Sequence, residues 1–123
     1  PGVLPENRGL DNLKWAIYNN LPQGVTTHFI DENIDVGYEI YKELLEVDVS
    51  DTLFDINSKL FDLQMEQLNK LIENNFDIEN LKSLVTKNPS QKAVSDEIDE
   101  KIIIAFEDYK KQYHNILKNY ASV

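Results

Sequence analysis

The chain has 123 residues, 41% of them hydrophobic and 28% charged, with a formal net charge of -10. That length holds one domain with a real core, and is too short for two. The acidic balance opposes nucleic acid and anionic membrane surfaces at long range, and the lack of cysteine removes disulfide staples, thiolate catalysis and cysteine-based zinc sites.

Residues 1–9 (PGVLPENRG) read as an irregular arm, with two prolines, two glycines and no periodicity. The opening Pro-Gly, in place of Met, points to a processed form or an excised domain. A first helix is expected from Leu10 to Asn20, with Leu10, Leu13, Ile17 and Leu21 on one face and Pro22 and Gly24 as its stop. Residues 25–30 (VTTHFI) are the only strand-like run, too short and too alone for a sheet. A second helix is expected over about Glu32 to Val47, and a third from Ser50 or Asp51 to Asn75. A short fourth is capped by Asp77 and stops before Asn88-Pro89. Ser95 caps a long last helix with Asp96, Glu97, Asp99 and Glu100 in its first turn, where the helix dipole favours carboxylates. Its apolar stripe is Ile98, Ile102, Ala105, Phe106, Tyr109, Tyr113, Ile116, Leu117 and Tyr120.

These elements predict an all-α fold: an elongated antiparallel bundle of four to five helices, filling residues 10–123 as one domain. More than two thirds of the residues should be helical, with no sheet of three or more strands.

The loudest charge signal lies in residues 31–55, which hold nine carboxylates and a single base, Lys42. On a helix, Glu32, Asp35, Glu39, Glu43 and Glu46 fall within about 80° of one another, opposite Ile34, Tyr38, Tyr41, Leu44 and Leu45. Like charges at i,i+4 oppose a helix by a few tenths of a kcal/mol per pair. A surface that carries this cost suggests a basic protein partner, bound by Glu32, Asp35, Glu39, Glu43, Glu46, Asp48, Asp51 and Asp55. The bland alternative is a solvated helix face.

Other constellations are thin. His28 stands three residues before Asp31, a spacing that can orient an imidazole for base work or stabilise a helix start. His114 reads as a surface residue. The EF-hand pattern and the Glu-x-x-His motif of di-iron bundles do not occur, so no metal is expected. No phosphate loop, dinucleotide fingerprint or nucleophile motif occurs either, so no cofactor and no catalytic residue is expected. Asn57 and Gln64 interrupt the apolar stripe of the third helix and are expected to be partly buried and hydrogen-bonded. Ile104 stands on the charged side of the last helix, and gains interest if Ile103 joins it in a patch.

The functional expectation is a non-catalytic interaction domain, of the inhibitor, immunity-protein or docking-subunit kind. It would be soluble, with the cytoplasm favoured, and would bind neither nucleic acid nor membrane directly. The alternative class is a small ligand-binding or enzymatic bundle with a site near His28 and Asp31.

Overall fold

In a computed structural model, the described part of the chain is residues 2–4, 6–7, 9, 11–30, 37–73, 82–84 and 91–114. It forms α1 (Asn12–Tyr18), β1 (Gly24–Ile30), β2 (Gly37–Leu44), α2 (Leu53–Glu73), β3 (Lys82–Leu84) and α3 (Asp96–Tyr113). The three strands make one antiparallel sheet in the order β1-β2-β3. The all-α bundle, and with it the expected absence of a three-stranded sheet, is therefore overturned.

The largest correction concerns the expected second helix. Its described part is β2, which pairs with β1 from Gly24↔Leu44 to Ile30↔Gly37. The "lone" strand-like run thus has its partner immediately downstream. A second correction is β3, which replaces part of the expected fourth helix. The rest of that helix lies outside the described residues, as do Ile116, Leu117 and Tyr120 of the last stripe.

Helix α2 packs against β1. The Gln67 side chain, fully buried, donates through Nε2 to the Val25 carbonyl at 3.1 Å and accepts from the Thr27 hydroxyl at 2.5 Å. An edge strand left open offers unpaired backbone groups to any passing chain. One amide on the covering helix satisfies one of those groups and fixes the helix against the strand. Beneath it, Val25, Val47, Ile56, Leu60 and Leu63 form one buried cluster. Ile17, Ile102 and Tyr109 form another between α1 and α3, and Leu13 and Phe106 pack against both.

The buried amide of α2 is therefore Gln67, while Asn57 is exposed and Gln64 half-buried. The reason is phase. At 100° per residue, the buried face (Leu60, Leu63, Gln67) and the exposed apolar residues (Phe54, Phe61, Met65, Leu68, Ile72) are two faces about 130° apart. Asn57 and Gln64 sit on the border between them rather than within one stripe.

The last helix follows the sequence closely. Ser95 Oγ accepts from the Ile98 N–H at 3.3 Å, and Asp96, Glu97 and Asp99 occupy the first turn. Its tyrosines reach backbone carbonyls at the bundle's edge: Tyr109 donates to Leu21 O at 2.6 Å and Tyr113 to Asn20 O at 2.5 Å. Burial pushes the Tyr109 phenol well above its usual range, which keeps it a donor at every ordinary pH. Among the described residues, no helix is long and apolar enough to cross a membrane.

Candidate functional site

The pairing of β1 with β2 shifts between Thr27 and His28: Thr27 faces Tyr41, while His28 faces Glu39. Ile40 is the extra residue. Such a bulge twists the strand pair and re-aims the side chains beside it. On the other side of β1, the N-terminal arm comes in close. Val3 and Leu4 are buried, and the Leu4 N–H donates to Thr26 Oγ1 at 3.0 Å.

Arm, strand and helices together border a small, open pocket of about 140 Å³ lined by Gly2, Leu4, Asn12, Val25, Thr26, His28 and Gln64. Glycine at position 2 is what lets the arm approach. A Cβ there would stand 2.5 Å from Asn7 O and 2.7 Å from Asn12 Nδ2. The Asn12 side-chain oxygen is buried without a hydrogen-bond partner. A buried acceptor in that condition costs about 1–3 kcal/mol until a donor reaches it. Asn12 and His28 line one pocket. Asn12 also lines a larger cleft of about 460 Å³, together with Gly9, Asp11, Leu13, Lys14, Leu53, Phe54 and Asn57.

Of the acidic residues expected from sequence to form a docking column, the described ones are divided among a strand, a loop and the start of a helix. Glu32 and Asp35 lie outside the described residues, as does Asp31. Glu39 and Glu43 are half-buried on β2 and ion-paired with Lys42 at 3.2 Å and Lys70 at 3.1 Å. Asp51 is buried and holds Lys59 at 2.7 Å and the Asp48 N–H at 2.9 Å. Asp48 and Asp55 each cap a turn, accepting from the N–H of Ser50 at 3.0 Å and of Thr52 at 2.9 Å. These hydrogen bonds hold both carboxyls below their usual range. Glu46 is exposed. Among the described residues 37–55, β2, a loop and the start of α2 succeed one another, so no single helix aligns Glu39, Glu43 and Glu46.

Of the two histidines, His28 joins the pocket, while His114 sits against the Val47 carbonyl at 3.3 Å. Sequence reasoning missed Gly2 and Asn12, which carry no motif and become neighbours of His28 only through the fold. Among the described residues, no group of three or more His, Cys, Asp or Glu is placed to hold a metal ion.

No family model matches the chain. Known proteins nonetheless resemble it. It is 40% identical over 78 residues to a methionyl-tRNA formyltransferase of Flavobacterium psychrophilum, covering 59% of this chain and 25% of that one. It is 32% identical over 73 residues to a GDP-perosamine N-formyltransferase of Brucella melitensis, covering 58% and 28%. In structure it superposes on a 4-N formyltransferase from Francisella tularensis with a TM-score of 0.63 at 25% identity, over 85% of this chain and 50% of that one. The chain therefore spans about a quarter of the length of these curated relatives and half of the solved structure. Relatives and structural neighbour alike are enzymes, which overturns the expectation of a non-catalytic inhibitor, immunity-type or docking domain. The better-supported reading is the alternative one, an enzyme, although not a helical bundle.

Proposed function

We propose that this chain is part of a formyltransferase, an enzyme that moves a formyl group onto an amine. The observation that carries the proposal is the 40% identity over 78 residues to a formyltransferase. The fold shared with another formyltransferase over 85% of the chain supports it. The acceptors named for these relatives are chemically unlike one another, and the formyl group is what their reactions share.

The local chemistry fits such a transfer. The amine nitrogen attacks the formyl carbon and an oxyanion develops; as it collapses, the bond from that carbon to the donor breaks, the donor's leaving group takes the electron pair and a proton, and the attacking nitrogen gives up a proton to a base. A pocket of about 140 Å³ is small against ordinary ligand sites of roughly 300–1,000 Å³, and suits a one-carbon unit with its nitrogen. Asn12 lines both this pocket and the adjoining cleft, which makes its amide a candidate for holding the amine. The adjoining cleft of about 460 Å³ has the size for the body of a small acceptor. His28 lines the pocket, and Asp31, Glu32 and Asp35 follow β1 in sequence, so these four are the candidates for taking the proton.

The test is formyl transfer by the full protein to a panel of amino-sugar nucleotides and aminoacyl-tRNA, with a formyl-labelled extract as donor. Mass spectrometry should find one CO unit gained on an amine. Asn12→Ala should then raise KM for the acceptor. Replacement of one among His28→Gln, Asp31→Asn, Glu32→Gln and Asp35→Asn should lower kcat about 100-fold or more. An active enzyme indifferent to all five substitutions would place the chemistry elsewhere, and no transfer to any amine would end the proposal.

A further inference from the structure

Strand β1 is tied from two sides just before the point where its pairing shifts. From α2, the fully buried Gln67 amide donates to the Val25 carbonyl at 3.1 Å and accepts from the Thr27 hydroxyl at 2.5 Å. From the N-terminal arm, the Leu4 N–H donates to Thr26 Oγ1 at 3.0 Å. One turn along α2 from Gln67, Lys70 pairs at 3.1 Å with Glu43, the residue of β2 that stands opposite Val25. Three consecutive residues of β1 therefore carry a polar bond to an element outside the hairpin. The bulge follows directly, between Thr27 and His28.

The place of these bonds matters because of what a bulge does. Side chains alternate along a strand, so a slip of one residue turns each of them to the other face. At a bulge the ladder is locally broken, and there the partner strand holds register least. His28 comes next, and it shares a pocket with Gly2, Asn12 and Gln64 only in the present register. The ties from α2 and the arm supply what the ladder lacks. A slip in one direction would bring Val25, which has no hydroxyl, to the Leu4 N–H. A slip in the other would bring His28 to Gln67 in place of Thr27. Either way a buried polar group loses its partner, which opposes the slip.

We infer that Gln67, acting through the Thr27 hydroxyl and the Val25 carbonyl, is a positioning residue for His28. Gln67 does not itself line the pocket, so it acts through the strand. It holds the end of β1 in the aim that formyl transfer needs. For its effect on rate the inference rests on the formyl-transfer reading; for its effect on the His28 imidazole it does not.

The tie is broken with least damage at its Thr27 end. Thr27→Val keeps the shape and the strand preference but removes the hydroxyl, whereas Thr27→Ser keeps the hydroxyl. Two readouts are taken on the full protein. The first is the imidazole NMR spectrum at one fixed pH. The His28 signal is the one that His28→Gln removes, and His114, against the Val47 carbonyl at 3.3 Å, is the internal reference. Thr27→Val and Gln67→Leu should each move the His28 signal and leave that of His114 in place, and Thr27→Ser should move neither. The second readout is steady-state formyl transfer. Thr27→Val should lower kcat about 10–100-fold. The acceptor KM should change by less than about 3-fold, and Thr27→Ser should keep most of the rate. Ile102→Ala is the control for lost stability alone. It loosens the other buried cluster, and below its melting temperature it should leave the His28 signal and kcat at wild-type values. A His28 signal that ignores Thr27→Val overturns the inference, and so does one that Ile102→Ala moves as far. An active enzyme whose kcat survives Thr27→Val, or falls equally in Thr27→Ser, overturns it too. If the wild type transfers no formyl group, the functional proposal fails and the His28 signal alone decides this one.

Discussion

Residues 37–44 and residues 96–113 offer the same kind of signal in sequence and opposite outcomes in structure. Both place apolar residues at helical spacing. The second became α3, while the first became the central strand of a sheet. Length is part of the difference, since a run of eight residues fits period 3.6 and period 2 about equally well. The bulge is another part. Ile40 is the unpaired extra residue, so Ile40 and Tyr41 follow one another and the alternation expected of a strand is broken at that point. The most instructive part is energetic. Repulsion along an acidic helix is a cost that a partner could justify. It was evidence against the helix, together with Gly37 inside the proposed span, where glycine costs roughly 1 kcal/mol relative to alanine. The neighbouring run VTTHFI, which could not stand alone, supplied the partner that settled the matter.

The contrast between the α1–α3 side and the hairpin side can be tested by loosening each in turn. The largest effect is expected from Ile102→Ala, because Ile102 is fully buried against Ile17 and Tyr109. The loss should be about 2–5 kcal/mol in urea unfolding. A loss below about 1 kcal/mol would mean that the stripe of α3 is not what holds the helix. Next comes Gln67→Leu, which keeps the bulk and strands the Val25 carbonyl and the Thr27 hydroxyl. We expect a loss of about 1–3 kcal/mol, with faster hydrogen exchange in β1 and β2. Asn57→Leu, at an exposed position, should stay within about 0.5 kcal/mol. Equal effects at 57 and 67 would restore the single-stripe reading of α2.

What the sequence made legible was local. Ser95, its acidic first turn and the run from Ile98 to Tyr113 need only neighbours within four residues to declare a helix, and α3 is that helix. The strand character of residues 25–30 was also visible, because Val, Thr, Phe and Ile favour a pleated surface. The site was not visible, because it is made by distance. Gly2, Asn12 and Gln64 reach Thr26 and His28 of β1 from three separate stretches of chain, and neither Gly2 nor Asn12 announces itself by type or spacing. His28 stands out in sequence by its spacing from Asp31, whereas its place in the pocket comes from the approach of the N-terminal arm and Gln64 to β1.

The smallest expected effect separates two ways of using a carboxylate in the acidic segment. Asp55 and Thr52 cap α2 reciprocally: Asp55 Oδ2 accepts from the Thr52 N–H at 2.9 Å, and Thr52 Oγ1 accepts from the Asp55 N–H at 3.1 Å. The hydrogen bond from the Thr52 N–H, and after it the one from its side chain, lowers the Asp55 pKa below its ordinary value of 3.8. A carboxyl with a depressed folded-state pKa adds stability that is present above the unfolded pKa. That stability is lost as pH falls through the folded value. Wild type should therefore be the more stable protein at neutral pH, and its advantage over Asp55→Asn should shrink between about pH 5 and pH 2. Thermal unfolding of both proteins across that range checks it. A constant offset at every pH would mean the cap acts through its geometry alone. An advantage that grows with acid would mean the carboxyl is repelled where it sits, as a member of the aligned acidic column would be.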